Sequence, residues 1–223
     1  MALQKIRIDF VSDIACPWCV IGLRGLLLAL HSLRQELIAE LAFVPFELNP
    51  EMGAQGENAF EHVRAKYQAT EEDSAALRQA IIDNGKTLGF TFNYSPQTRI
   101  WNTFDAHRLL WWAGREGKAL ETKQALFKAN FTDGKNVSDL DVLSGVAREV
   151  GLDPRRAREM LLSSEFEKEV REEEVAWLND GIGAVPVVAI NRRWLIQGAQ
   201  PAAAYAQALR DVASGKAKIE EAS

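Results

Sequence analysis

Two cysteines stand in this chain, Cys16 and Cys19, separated only by Pro17 and Trp18. A pair that close cannot clamp a large fold, so its use is chemical. On a helix, positions three apart share one face, which brings the two sulfurs within bonding reach. Pro17 can open such a helix, because its missing N–H would be unpaired in the first turn anyway. Cys16 then lies at the extreme N-terminus, where free backbone N–H groups and the positive end of the helix dipole favour a thiolate. Cys19, one turn further in, becomes the less exposed, resolving thiol. An inert buried pair and a zinc site are the other uses of two such cysteines. Zinc asks for about four ligands, and His31, His62 and His107 are scattered without ligand spacing. We therefore expect no metal, no organic cofactor and a redox-active pair.

Pro186 is the second clue, inside the apolar run from Val185 to Ile190. A proline cannot donate to a strand ladder and belongs at a strand start, an edge or a bulge. A plain edge-strand proline satisfies this pattern, and so does a cis peptide holding a turn beside the reactive helix. Asn49, after a strand, is a candidate to reach a bound peptide or glutathione. Asn102 and His107 share a helix and are candidates for the groove above Cys16, His107 as a proton relay or else as a core-edge histidine. Trp101, Trp111 and Trp112 suit core or groove lining. Glu172-Glu173-Glu174 suits the solvated face of a helix.

Several elements must position these groups. Lys5 to Val11 alternates apolar and polar residues and predicts a strand. A helix follows through Leu23, Leu26, Leu27, Leu30 and Leu33 toward Leu37, and a second strand runs from Ala42 to Leu48. Strand, helix and strand at this length make a right-handed crossover with parallel pairing. From about Glu57 to Ser163 no strand run is expected. Thr70 with Asp73 starts a helix reaching Leu88, Asn102 to Arg115 forms another, and Ser138 with Asp141 precedes a third over Val142 to Val150. Gly151 stops that helix and Asp153-Pro154 starts the next. A helix from Ser164 to Asn179 leads to a hairpin, Val185 to Ile190 against Trp194 to Gln197. Pro201 opens a last helix, Ala202 to Ala213. The expected organisation is a discontinuous α/β domain of residues 1–50 and 164–214, an all-helical insertion over 51–163, and a flexible tail over 215–223.

At 223 residues, 47% apolar and 26% charged, the chain has ordinary globular composition. A net charge of −5 offers no broad cationic surface for nucleic acid or anionic lipid. The most apolar stretch, Val20 to Leu33, is broken by Arg24, His31 and two glycines, short of a membrane span. The N-terminus carries no secretory pattern, so a cytoplasmic, reducing location is expected. The expected partners are a thiol or disulfide substrate protein or glutathione, with no nucleic acid and no membrane, the chain being a monomer or homodimer.

A set of segments, taken in order, carries a resemblance. They are the strand and helix around Cys16-Pro17-Trp18-Cys19, then Phe46-Glu47-Leu48-Asn49-Pro50 and Asp105-Ala106-His107-Arg108-Leu109-Leu110. Gly183-Ala184-Val185-Pro186-Val187 and Gly198-Ala199-Gln200-Pro201 complete it. Together they resemble the DsbA-like thioredoxin-superfamily proteins of FrnE type, dithiol-disulfide oxidoreductases or isomerases. The resemblance implies a thioredoxin-like fold (β-α-β … α-β-β-α) with a large all-helical insertion. It implies Cys16 as nucleophile, Cys19 as resolving cysteine, and Val185-Pro186 as the cis-proline segment that meets substrate. Kappa-class glutathione transferases and hydroxychromene-carboxylate isomerases share the architecture but resemble it with Ser where Cys16 stands. The intact pair points to disulfide chemistry and leaves glutathione open as co-substrate.

Overall fold

The alternation of Ile6, Ile8 and Phe10 with Lys5, Arg7 and Asp9 builds β1 (Gln4–Ser12), in which these three apolar side chains and Val11 are buried. The structure, a computed structural model, describes residues 3–216. Of the tail expected over 215–223, all but Gly215 and Lys216 lies outside the described residues. β1 is a central strand of a four-stranded sheet ordered β2-β1-β5-β6. It pairs in parallel with β2 (Leu37–Pro45) and antiparallel with β5 (Val187–Ile190), which pairs antiparallel with β6 (Trp194–Gln197). The crossover from β1 to β2 is α1 (Pro17–Ser32). It packs on α9 (Ala202–Ala213), and the approach depends on missing side chains. A Cβ on Gly25 would stand 2.7 Å from the Gln200 carbonyl, and one on Gly22 would stand 3.1 Å from the Pro186 ring.

The first helix is shorter than its leucine spacing suggests. It ends at Ser32, and β2 begins at Leu37, well before Ala42. Leu33 and Leu37 keep a helical interval, but Leu33 is the cap, its N–H shared between the Ala29 and Leu30 carbonyls, and Leu37 already pairs with Gln4. β2 closes at Pro45, so Phe46, Glu47 and Leu48 lie beyond it.

Between the two arms of the sheet run α2 (Ala59–Tyr67), α3 (Glu71–Thr87), α4 (Phe104–Arg115) and α5 (Ala119–Phe127). A π-helical turn (Lys128–Thr132), α6 (Leu140–Glu149) and α7 (Pro154–Leu162) follow. The expectation of no strand here is corrected by β3 (Glu57–Asn58) and β4 (Arg99–Ile100), a two-residue antiparallel pair too short to leave a period. Thr70 and Asp73 form the expected capping box. At α6 the cap is Asp139, which accepts from the Asp141 and Val142 N–H groups, whereas Ser138 donates to Asn136 instead. Buried Arg108 on α4 donates to the Met160, Leu161 and Ser163 carbonyls, satisfying acceptors that the end of α7 leaves open.

One core cluster joins β1, α1, α4, α5, α6 and α9 and includes both cysteines. A smaller one lies under α8 (Glu167–Asn179), where Trp177 packs with Val11, Val44 and Val187. Glu172 is exposed as expected for a solvated face, but Glu174 is buried, because α8 turns it with Val170 and Trp177 toward the sheet. Among the described residues no helix is long and apolar enough to cross a membrane.

Candidate active site

After β1 the chain turns through Asp13, Ile14 and Ala15 and delivers Cys16 as the N-cap of α1, with Pro17 in its first turn. The Cys16 N–H reaches the Asp13 carbonyl (3.3 Å) and the Cys19 N–H the Cys16 carbonyl (3.1 Å). Cys16 Sγ lies 3.8 Å from the Val185 carbonyl oxygen. The Val185–Pro186 peptide is cis. Both thiols are free.

The two sulfurs are not equivalent. Cys16 is 4% exposed and lines a cavity of about 620 Å³, whereas Cys19 is wholly buried behind it. Burial pushes the Cys19 thiol well above its usual pKa, and a hydrogen bond to Cys16 and the charge of Cys16 push the same way. Pro17, Trp18 and Val185 frame the cavity next to Cys16. Its far walls come from the helical segment: Phe60 and Lys66 of α2, Arg78 of α3, Tyr94 and Phe131.

Asn49 lies in this lining, as its place after the second strand suggested; its Oδ1 accepts from Lys66 Nζ at 2.8 Å. Asn102 and His107 do not line the cavity. Asn102 Oδ1 accepts from the Phe104 N–H at the start of α4, which ties it to the helix end. His107 is turned inward with Ala106, Leu109 and Leu110 on the apolar face of α4, behind the cysteine loop. Its Nε2 is 3.5 Å from Asp13 Oδ1, longer than a well-formed hydrogen bond. Trp112 is buried, and none of the three tryptophans at 101, 111 and 112 lines the cavity.

Asp13 is a residue that sequence reasoning missed. Its carboxylate is buried, with Oδ1 accepting from the Ala15 N–H (3.1 Å) and Oδ2 from the Leu48 N–H (2.7 Å). It thereby fastens the loop carrying Cys16 to the chain leaving β2. Burial alone would raise its pKa, but the facing His107 ring and those two N–H groups outweigh it and hold the carboxyl below the ordinary range. The bond to Ala15 is an Asx turn, a local signal that was available. The one to Leu48 was not.

Lys123 of α5 was missed as well. It is wholly buried in the same core, with its Nζ 4.8 Å from the Phe127 ring centroid and no hydrogen-bond partner among the described residues. Burial pushes its pKa down to about 8, against the pull of Cys19, Asp13 and Cys16. Asn130, in the π-helical turn that continues α5, donates to the Ile14 carbonyl (3.1 Å) and so anchors that helix to the cysteine loop. Glu47 forms a third buried group. Burial first, and then the charge of Glu174, push its carboxyl up to about 7, while Arg171 pairs with both acids.

A strand delivering a Cys-x-x-Cys pair to a helix N-terminus, with the Val185 carbonyl beside the first sulfur, can exchange disulfides. Known proteins share this arrangement of chain. The chain is 25% identical to the uncharacterized protein YwbO of Bacillus subtilis (strain 168), over 93% of this chain and 98% of that one. It superposes on a probable DsbA oxidoreductase, SCO1869 of Streptomyces coelicolor, with a TM-score of 0.88 at 28% identity, covering 98% of this chain and 94% of the other. The cytosolic disulfide reductase DsbM from Pseudomonas aeruginosa with GSH shares the fold, with a TM-score of 0.61 at 17% identity over 92% and 98% of the two chains. The model of the DSBA-like thioredoxin domain matches residues 7–210, from the first strand to the last helix. On that span of match, the chain belongs to the DSBA-like thioredoxin domain family.

Proposed function

We propose that this chain is a thiol–disulfide oxidoreductase of FrnE type, in which Cys16 attacks and Cys19 resolves. The asymmetry of the two sulfurs carries this reading: Cys16 opens on the cavity at a helix N-terminus, and Cys19 is sealed behind it. The Cys16 thiolate forms a bond to one sulfur of a substrate disulfide and displaces the other as thiolate. Cys19 then attacks Cys16 Sγ, closing the Cys16–Cys19 disulfide and releasing the second substrate thiol. Two electrons pass from the protein to the substrate, and the reverse sequence oxidises a dithiol. Sulfur alone carries them, with no bound cofactor.

The cavity supports a small peptidic thiol as partner. Its volume falls in the range of small-ligand sites. Apolar Phe60, Ile81 and Phe131 line it together with the cations of Lys66, Arg78 and Arg99, which suit the carboxylates of glutathione. DsbM, which shares the fold, was solved with GSH. The backbone of Val185, beside the sulfur, suits pairing with the backbone of a bound peptide. We read residues 51–163 as an insertion into a discontinuous thioredoxin-like domain, and as the part that selects substrate, since α2 and α3 supply the cavity's outer wall.

Trapping tests the assignment. Cys19→Ser incubated with oxidised glutathione should accumulate a reducible adduct of one glutathione on Cys16, and Cys16→Ser should trap little. The opposite pattern reverses the roles. Turnover retained in Cys19→Ser would instead indicate a glutathione-dependent isomerase or transferase, which needs one thiol only.

A further inference from the structure

The wall that α3 turns to the cavity is made by Ser74, Leu77, Arg78 and Ile81, spaced three and four residues apart so that they share one helical face. Leu77 and Ile81 suit the apolar lining around them. Ser74 and Arg78, one turn apart, do not. Ser74 is 2% exposed, and its Oγ has no hydrogen-bond partner among the described residues. A helical hydroxyl has an easy partner in the carbonyl four residues earlier, which Thr87 at the end of α3 and Ser144 on α6 both use. Ser74 leaves that partner unused, and a buried hydroxyl without one asks for an explanation.

The other cations of the lining are engaged by the protein itself. Lys66 Nζ holds the Leu48 carbonyl and Asn49 Oδ1, each at 2.8 Å. Arg99 gives three hydrogen bonds to the Gln55 and Gly56 carbonyls. Half-buried Arg78 meets no carboxylate and no carbonyl among the described residues. Its guanidinium carbon lies 4.1 Å from the Phe60 ring centroid, a contact that steadies the side chain and makes no use of its N–H donors. Glu47 is the one acid among the described residues of the lining, and its carboxylate is paired with Arg171.

We infer that Arg78 and Ser74 form a carboxylate-binding site in the cavity, so that the substrate is a small thiol or disulfide bearing a carboxylate. The inference rests on the reading of the cavity as the site of a small thiol, and it names which side chains read the charge. Cys16 and Arg78 line the same cavity of about 620 Å³, so one small molecule meets both. A guanidinium offers a carboxylate two parallel N–H bonds, and the serine hydroxyl donates another. An apolar lining strengthens such bonds. The chain as a whole carries a net charge of −5, so the recognition is local and not a general attraction for anions. A neutral or cationic thiol can fill the apolar wall equally well but leaves Arg78 and Ser74 without an acceptor.

S-methylglutathione, a thioether that cannot exchange with Cys16, tests binding apart from redox chemistry. Its affinity for the reduced protein is measured by calorimetry beside that of its diethyl ester, which lacks both carboxylates. Wild type should prefer the free acid by about tenfold to a hundredfold. Arg78→Gln should reduce that preference to within about threefold. Arg78→Lys keeps the charge without the planar fork and should retain an intermediate preference. Ser74→Ala, a change too small to disturb α3, should lower it about threefold. A wild-type protein that binds both ligands equally, or neither, overturns the inference. So does an Arg78→Gln protein that keeps the wild-type preference. Wild type that shows the preference but exchanges no sulfur with oxidised glutathione would overturn the oxidoreductase reading and leave the carboxylate site standing.

Discussion

Replacing Lys123 by Met should stabilise the fold. Met keeps the length and volume of the side chain and removes only the amine. The magnitude follows from the pKa. Lys123 falls from an ordinary 10.5 to about 8 in the folded protein. At about 1.4 kcal/mol per tenfold change in proton affinity, the buried ammonium costs about 3 kcal/mol. The folded chain gives up this proton more readily than the unfolded chain. The penalty is therefore complete below pH 8, shrinks as pH rises through 8, and is gone near 10.5. Wild-type and Lys123→Met proteins, both reduced, should be unfolded in urea at pH 7 and at pH 10. The variant's midpoint should lie about 1 M higher at pH 7, for a slope of about 2–3 kcal/mol/M. By pH 10 most of that gap should close. Taking the difference between the two proteins cancels the titration of Cys19, which runs the other way because its thiol is held protonated in the fold. A variant less stable than wild type at pH 7, or a gap that does not depend on pH, would refute this account of the buried amine.

Two further outcomes are expected. Asp13→Ala should cost about 3–5 kcal/mol, because it strands the Ala15 and Leu48 N–H groups, and Asp13→Asn less, about 1–3 kcal/mol, since its amide oxygen still accepts one of them; urea unfolding checks both, and a loss under 1 kcal/mol for Ala would contradict the role given to Asp13. Glu47 has its folded pKa raised from 4.5 to about 7, so the cost of its buried charge is absent at pH 4.5 and complete above 7. Glu47→Gln should therefore stabilise the protein by about 1–2 kcal/mol at pH 8, tempered by Arg171 and solvent, and do nothing at pH 4.5; equal effects at both pH values would rule out burial as the cause.

What could be read from the chain follows the range of the interactions. Ile6, Ile8 and Phe10 announce their strand, Thr70 and Asp73 their helix, and Pro201 the start of α9, because each signal is complete within a few residues. Cys16, Cys19 and Pro17 are legible for the same reason. Leu33 and Leu37 mislead because a buried cap and a buried strand start happen to preserve a helical interval. The pair of β3 and β4 is invisible because two residues make no period. His107 lies on the helix expected of it, while Asn102 falls just before that helix, whose cap is Thr103, and which way a helix turns its polar residues depends on what packs above it. Lys123 and Glu174 look like any charged residue on an amphipathic helix. Their burial is decided by the aromatic rings of β2 and α5 in one case and by Glu47 and Arg171 in the other.

The sheet order carries a consequence for how the protein is made. β1 lies between β2, which follows it closely in the chain, and β5, whose Val188 faces Phe10 across most of the chain. A ribosome adding about 5–20 residues per second needs roughly 10–35 s to travel from one to the other. For that interval the cysteine helix exists without Val185 beside Cys16 and without α9 beneath Gly22 and Gly25. Both thiols are in the open while the helical segment is still being synthesised. A nascent chain of this topology is thus a client for thiol chemistry before it is an agent of it, and its own pair has to survive unsheltered until Val185 and α9 have been made.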